Sequence, residues 1–158
     1  MDKDKISILQ VKLADQTFGV RISEISDIIV PQKFTYVPQS GKAIAGLINL
    51  RGYIVTLIRV SHILGIPDED LHKIEEGEGK IIVVEQGSDL YGLLFDDVSD
   101  IIDIDADEME PISAVLDEEW GGVASGVFRL EPDLVVLLNT NGLVSAAEPS
   151  KNLEQKVS

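Results

Sequence analysis

The chain has 158 residues, of which 44% are hydrophobic, and this is enough apolar material for one domain with a stable core. It contains 13 Lys and Arg and 28 Asp and Glu, which give a formal charge of -15, so nucleic acids and anionic lipid should repel it. Zero cysteines exclude a disulfide framework, a thiolate nucleophile and a cysteine metal cage. The charged start and the lack of an apolar run of roughly 20 residues predict a cytoplasmic protein with no export signal and no membrane insertion.

The predicted elements are mostly short β-strands separated by Gly, Asp and Pro. Alternating apolar and polar residues predict strands at 9–13 and 18–22, joined by a hairpin connection at 14–17. Further strands are predicted at 54–58, 81–84, 93–95 and 134–138. Short helical segments are predicted at 61–64 before Gly65, after a capping box at 105–108, and at 150–157.

The sequence contains an internal duplication. Residues 18–29, FGVRISEISDII, match residues 91–102, YGLLFDDVSDII, at five of twelve positions with an offset of 73. A second pair of blocks, 45–58 and 125–138, matches without a gap at an offset of 80. Two collinear matches indicate a repeated unit rather than chance similarity between apolar runs.

This organisation predicts an all-β fold of two similar β-barrels that meet at a groove. The expected boundaries are about 6–75 and 80–147, inside a single domain at 1–150 that is followed by a tail at 151–158. The connection is placed at 67–79, where acidic residues and glycine concentrate and the apolar periodicity ends. Because a single unit of this size is marginally stable alone, the two barrels should share a continuous core.

The sequence contains only poor candidates for a metal site. His62 and His72 have no second His or Cys at ligand spacing, which favours structural or solvent-exposed roles. The segment 103–107, DIDAD, begins like a calcium loop, but its sixth position is Glu108 instead of glycine and its twelfth is Ala114 instead of a carboxylate. Neither a metal nor a cofactor is therefore expected.

An enzyme is the alternative from a different class, and its best candidates are acidic. They could supply an acid–base pair: Asp96, Asp97, Asp100, Asp103 and Asp105. The first three of them correspond in the repeat to Ser23, Glu24 and Asp27, so polar positions along duplicated strands also explain them. The segment GEGK at 77–80 lacks the other features of a P-loop, and no Gly-x-Ser-x-Gly elbow is present. No catalytic residue is predicted.

Residues 45–52, AGLINLRG, resemble the signature of the CheW family of chemotaxis coupling proteins. The pattern of that family is a glycine, two small or apolar residues, Asn-Leu-Arg-Gly and an apolar strand. The resemblance covers about residues 6–147 and includes 18–20, 25–29, 91–93, 98–100 and 134–138. The duplicated layout is also that of the family.

The resemblance implies a fold of two intertwined five-stranded SH3-like β-barrels with few short helices. It implies a non-enzymatic scaffold or adaptor that couples chemoreceptors to a CheA-type histidine kinase at the inner face of the membrane. The expected partners are the regulatory domain of that kinase and the cytoplasmic tip of chemoreceptors, the methyl-accepting chemotaxis proteins. The alternative is a detached regulatory module of a chemotaxis kinase or of a related pathway such as pilus motility, although the chain length disfavours it.

The two copies differ at a polar turn inside the second pair of matching blocks. Asn49, Arg51 and Gly52 of the first copy correspond to Arg129, Glu131 and Pro132 of the second. With the resemblance, this difference gives the expected partner-binding residues: Ile25, Asp27, Ile29, Asn49, Arg51, Gly52 and Val98.

The roles expected within this set differ. Arg51 and Asp27 should form a partly exposed ion pair that orients the Arg-Gly turn. Ile25 is the candidate for the receptor face, whereas Ile28 and Ile101 are expected in the core. The kinase is expected to bind at the barrel ends.

The sequence departs from the family after this turn. Members commonly have Pro-x-x-Asp-Leu-Arg, and this chain has TLIRVS at 56–61. Arg59 reverses a charge and Ser61 removes one. We expect the fold to tolerate Arg59 and Ser61, and we expect any effect of Thr56, Arg59 and Ser61 to fall on the choice of partner.

Overall fold

A computed structural model describes residues 4–30, 35–36, 43–66, 77–111 and 122–147. The strands in these ranges are β1 (Lys5–Leu13), β2 (Gln16–Arg21), β3 (Asp27–Ile29), β4 (Thr35–Tyr36), β5 (Ile44–Leu50), β6 (Tyr53–Ile58), β7 (Lys80–Gln86), β8 (Asp89–Phe95), β9 (Asp97–Asp105), β10 (Ala124–Leu130) and β11 (Asp133–Leu138). The helices are α1 (Val60–Leu64), α2 (Thr140–Ala147) and two 3₁₀ turns, Ile22–Glu24 and Ala106–Glu108.

The local predictions agree with these elements. The first hairpin turns through Ala14 and Asp15, whose φ angles of 48° and 72° are the left-handed values of a two-residue turn. α1 ends at Gly65 with a φ of 72°, as the glycine there predicts. The Glu108 carboxylate accepts a hydrogen bond of 2.8 Å from the Asp105 backbone N–H, which confirms the capping box. The predicted linker at 67–76 and the terminal helix at 150–157 lie outside the described residues.

The strands form two sheets that exchange hairpins between the copies. The first sheet has the order β10-β11-β2-β1-β9, and the second has the order β3-β7-β8-β6-β5-β4. The hairpin β1–β2 therefore joins strands of the second copy, while β7–β8 joins strands of the first. The expected boundaries at 6–75 and 80–147 do not coincide with the two sheets. The reason is that β2 pairs in parallel with β11, and β8 pairs in parallel with β6, so a strand of the other copy covers each hairpin edge.

The first sheet closes on itself beyond β9. Glu110 and Val127 exchange two backbone hydrogen bonds of 2.7 and 2.8 Å, which link the chain after β9 to β10. Such closure removes a free sheet edge and gives a small barrel.

The duplication extends to the registers of equivalent strands. β5 and β10 have equal length at an offset of 80, and both ladders shift register at the same place, Ile44 to Gly46 and Ala124 to Gly126. Gly19 and Gly92 are equivalent, and a Cβ at either would lie within 2.8 Å of an isoleucine Cγ2 atom, of Ile8 or of Ile81. The repeated glycines are thus required by close packing inside each barrel.

Buried side chains of the described residues form three clusters. Two of the clusters are each formed by residues of one sheet, and the largest combines residues of both sheets. The large cluster combines residues of both copies, for example Phe18 and Val20 from β2 with Leu93 and Phe95 from β8. The prediction of a continuous core shared by the two barrels is therefore confirmed.

Candidate partner-binding site

The turn between β5 and β6 is fixed by its own residues. Leu50 pairs with Tyr53, and the two residues between them, Arg51 and Gly52, have φ angles of 53° and 89°. The Asn49 side-chain oxygen accepts a hydrogen bond of 2.9 Å from the Gly52 N–H. This Asn-Leu-Arg-Gly segment consequently forms a tight left-handed turn that holds an exposed arginine at the end of the hairpin.

Arg51 forms the predicted ion pair with Asp27. Its Nη2 lies 3.6 Å from the Asp27 Oδ2, with 78% of the arginine side chain and 33% of the aspartate side chain exposed. The other carboxylate oxygen accepts a hydrogen bond of 2.8 Å from the Ile28 backbone N–H. The carboxylate of Asp27 is thus oriented by the backbone of its own strand, and its contact with Arg51 links the turn to β3.

The second copy has no counterpart to this pair. The position equivalent to Asp27 is Asp100, and the position equivalent to Arg51 is Glu131. Two carboxylates repel each other instead of pairing. The turn itself also differs, because the ring of Pro132 excludes the positive φ that Gly52 adopts.

The apolar residues of β3 and β9 are arranged differently from the sequence expectation. Ile25 and Val98 are half-buried against the central core, and Ile29 is half-buried against the core of the second sheet. Ile28 is 40% exposed and Ile101 is 61% exposed, so the expectation that both belong to the core is wrong.

The exposure of these two residues follows from their position in the sheets. Ile28 pairs with Ile82 and Ile101 pairs with Leu9, and both of these partners lie in the central core. Directly paired residues point to the same face of a sheet. However, β3 and β9 are the outermost strands of their sheets, so their side chains lie at the rim of the central core.

Exposed apolar residues on β6 and β11 were not predicted from the sequence. The large exposed hydrophobic residues in the described ranges are Ile28, Val30, Tyr53, Ile54, Ile101 and Leu134. Ile54 and Leu134 are equivalent through the repeat, as are Ile28 and Ile101. The repeat offers the missing signal, because an apolar residue next to a polar turn occurs at the same place in both copies.

Comparison with protein families decides what this paired-barrel chain is. A family model described as "CheW-like domain" matches residues 7–148. The chain belongs to the CheW-like domain family. The resemblance found in the sequence is thereby confirmed.

Two chemotaxis proteins are similar to this chain over most of their length. The "Probable chemotaxis protein CheW" of Rhizobium etli is 26% identical, covering 89% of this chain and 88% of the relative. The "Chemotaxis protein CheW" of Thermotoga maritima is 23% identical with the same coverage. A crystal structure of the scaffolding protein TtCheW from Thermoanaerobacter tengcongensis matches with a TM-score of 0.75 at 24% identity, covering 86% of this chain and 90% of that chain. The predicted CheW-like fold class is confirmed, and the two-residue β4 adds a sixth strand to the second sheet.

This CheW-like domain accommodates its departures from the family pattern. Arg59 occupies the N-cap position of α1, where it supplies no side-chain oxygen, and α1 still forms. Its equivalent, Asn139, accepts a hydrogen bond of 3.2 Å from the Gly142 N–H and so caps α2. Ser61 is buried within α1, and Thr56 is half-buried in β6. Thr56 and Ser61 lie inside regular elements and Arg59 lies between β6 and α1, which both form, so the fold tolerates these residues.

The acidic residues considered for catalysis make structural contacts. Asp96 accepts a hydrogen bond of 2.8 Å from the Ala14 N–H, and Asp103 accepts one of 2.6 Å from the Ser7 hydroxyl. Asp105 lies 2.8 Å from the Lys5 ammonium, and the hydrogen bond and charge of Asp105 raise the pKa of Lys5.

The described residues contain neither a candidate metal cluster nor a membrane-spanning helix. Among the described residues, no three His, Cys, Asp or Glu side chains lie close enough together to hold a metal ion. None of the helices in these ranges has the length and apolar character that crossing a bilayer requires.

Proposed function

We propose that this CheW-like protein is a non-enzymatic adaptor that couples chemoreceptors to a CheA-type histidine kinase at the inner face of the membrane. The observation that carries the proposal is the Arg51–Asp27 pair, which occurs in only one of two otherwise repeated copies. A scaffold needs repeated glycine and apolar positions, but it does not need a difference between two exposed turns. The family supplies the context, because named relatives of similar length are chemotaxis proteins.

The proposed receptor surface is the rim of the central core around β3. Ile28 is exposed there and Ile25 is half-buried against the same core, while Asp27, on the opposite face of β3, pairs with Arg51 and provides charges at the same sheet edge. A helix binds by placing apolar side chains in a groove between polar rims. The cytoplasmic tip of a chemoreceptor is a helical hairpin, and its chemistry fits such a surface. Ile29 lies on the other face of β3 and packs in the second core, where it holds this strand against its own sheet.

The proposed kinase surfaces are the ends of the two barrels. Tyr53 and Ile54 are exposed directly after the Arg51-Gly52 turn, and Leu134 is exposed after the equivalent turn of the second copy. A regulatory domain with the same paired-barrel fold would present similar strand ends. Apolar residues beside polar turns match the apolar core and polar rim of a protein–protein interface.

The proposal assigns no reaction to the protein, no cofactor and no nucleic-acid partner. The carboxylates that could have served as acid and base instead hold strands and turns, as Asp96 and Asp103 do. The charge of -15 also opposes binding to phosphate backbones and anionic lipid.

Binding of both partners to the full-length chain tests the proposal. A receptor cytoplasmic fragment and the kinase regulatory domain, both from the same organism, are titrated separately and then together. We expect a ternary complex, because the two surfaces are distinct, and we expect kinase activity in receptor assemblies to depend on this chain. Competition between the two partners for the wild-type protein would contradict the bridging mechanism. A detached kinase module would instead bind receptor and show no affinity for a separate kinase.

A further inference from the structure

One buried hydroxyl links the two copies next to the proposed receptor surface. Thr140, the first residue of α2, is 4% exposed, and its hydroxyl donates a hydrogen bond of 2.7 Å to the Glu24 carboxylate. Glu24 belongs to the 3₁₀ turn Ile22–Glu24, which precedes β3. A hydrogen bond to a carboxylate is stronger than one between neutral groups, and removal of the donor leaves a half-buried charge less well satisfied.

The residues between Glu24 and Asp27 are held in place by the backbone. The Ile25 N–H donates to the Ile22 carbonyl at 3.0 Å, and the Ser26 N–H donates to the Val83 carbonyl at 2.7 Å. A fixed Glu24 therefore also fixes Asp27, three residues further along. The position of Asp27 in turn decides whether its carboxylate remains near Arg51.

The equivalent link is missing from the other copy. The equivalents of Thr140 and Glu24 are Val60, which has no hydroxyl, and Asp97. Asp97 instead accepts a hydrogen bond of 2.9 Å from the Val98 N–H and lies 4.0 Å from the Lys80 ammonium. The link between Thr140 and Glu24 thus occurs beside the same segment that carries the ion pair specific to the first copy.

We propose that Thr140 is a positioning residue that holds Glu24, and thereby the start of β3, so that Asp27 stays within reach of Arg51. This inference rests on the proposed function only in so far as the positioned segment is the receptor surface. The hydroxyl itself is buried. Its effect on binding is transmitted through Glu24.

Amide hydrogen exchange on the full chain tests the positioning directly. Thr140→Val removes the hydroxyl and keeps the shape of the side chain, whereas Thr140→Ser keeps the hydroxyl. We expect exchange at the Ile25 and Ser26 amides to be about tenfold faster in Thr140→Val and close to wild type in Thr140→Ser. The Val98 amide, equivalent to that of Ile25, should be unchanged in both variants. Unchanged exchange at Ile25 and Ser26, or equal acceleration at Val98, would overturn the inference.

Receptor binding by the same variants separates this inference from the proposed function. We expect Thr140→Val to bind a receptor cytoplasmic fragment several-fold more weakly than wild type and Thr140→Ser to restore the affinity. Faster exchange at Ile25 without loss of affinity would uphold the positioning role and refute β3 as the receptor surface. Weaker binding without any change in exchange would refute the positioning role.

Discussion

Arg51 contacts Asp27, and this pair connects the turn after β5 to an outermost strand of the same sheet. Because the guanidinium is largely exposed, water screens the attraction, and such pairs contribute only about 0–1 kcal/mol to folding stability. A contact of this kind orients the arginine rather than stabilising the barrel. The turn holds the backbone of Arg51, and Asp27 selects the direction of its side chain.

Replacement of this arginine should therefore separate binding from stability. We expect Arg51→Ala to leave the melting temperature within a few degrees, because a loss of at most about 1 kcal/mol shifts it by roughly 2–4 °C in a chain of 158 residues. Coupling of receptor to kinase should weaken strongly, as measured by kinase activity in reconstituted receptor assemblies.

Arg129→Ala provides a matched control for this prediction. It removes the same charge from an exposed site of the second barrel, near its turn. We expect normal coupling in this variant. Equal loss of coupling in both variants would attribute the effect to net charge and not to the Arg51–Asp27 pair.

The two repeated glycines should be equally intolerant of a side chain. A methyl group at Gly92 would meet Ile81 and Leu57 at 2.8 Å, and one at Gly19 would meet Ile8 at 2.7 Å. Overpacking of a well-filled core costs about 1–3 kcal/mol, so Gly19→Ala and Gly92→Ala should each lower the free energy of unfolding by that amount. Gly122→Ala is the control, because open space surrounds that position. Urea denaturation measures all three, and a stable Gly92→Ala would contradict the close packing.

The duplication made much of this fold predictable, since matching glycines and apolar residues must serve matching strands. The exchange of hairpins did not follow from the duplication and was expected only from the resemblance, which implies intertwined barrels. Pairing within a copy and pairing between copies place the same side chains of β2 and β8 inside, so the alternation of residues is identical. β9 was missed as an element because acidic residues at Asp97, Asp100 and Asp103 interrupt its apolar pattern. These residues lie on a largely exposed strand, where a charged side chain stays in contact with water and costs little free energy.

The candidate site was predictable where it depends on local sequence and less so where it depends on packing. The Asn-Leu-Arg-Gly turn was located from its residues, and its ion pair with Asp27 was predicted and found. The exposure of Ile28 and Ile101 was not predictable. The alternation of apolar and polar residues shows which face of a strand a side chain lies on, but not whether another layer covers that face.

Alkaline pH should weaken the contact between Lys5 and Asp105. The hydrogen bond and charge of Asp105 raise the pKa of Lys5 above its ordinary value of 10.5. A raised pKa means that the folded state binds the proton more tightly, so the contribution to stability is complete below pH 10.5 and is lost as the pH rises through the raised value. Comparison of wild type with Lys5→Met isolates this effect, because other titrating groups are common to both. The difference in urea midpoint should be largest near neutral pH and shrink as the pH rises above 10.5. A difference that grows with pH would contradict the assignment.

The receptor surface can be tested at Ile28 more cleanly than at Ile25. The sequence favoured Ile25 for the receptor face, but Ile25 packs against the central core, so an arginine there would also disturb folding. Ile28 lies on the same segment and is exposed, so Ile28→Arg should leave the melting temperature within a few degrees. We expect this variant to lose receptor binding in a pull-down and to keep binding to the kinase regulatory domain.

Ile101→Arg is the control for this last prediction, because Ile101 is the exposed equivalent on β9 and has no neighbouring arginine turn of the same kind. If the receptor uses only the surface around β3, Ile101→Arg should bind both partners normally. Loss of receptor binding in both variants would place the receptor across both rims of the central core and would include Val98, which lies beneath the second rim. Loss of both partners in Ile28→Arg, with the fold intact, would mean that receptor and kinase share one site, and it would refute simultaneous binding.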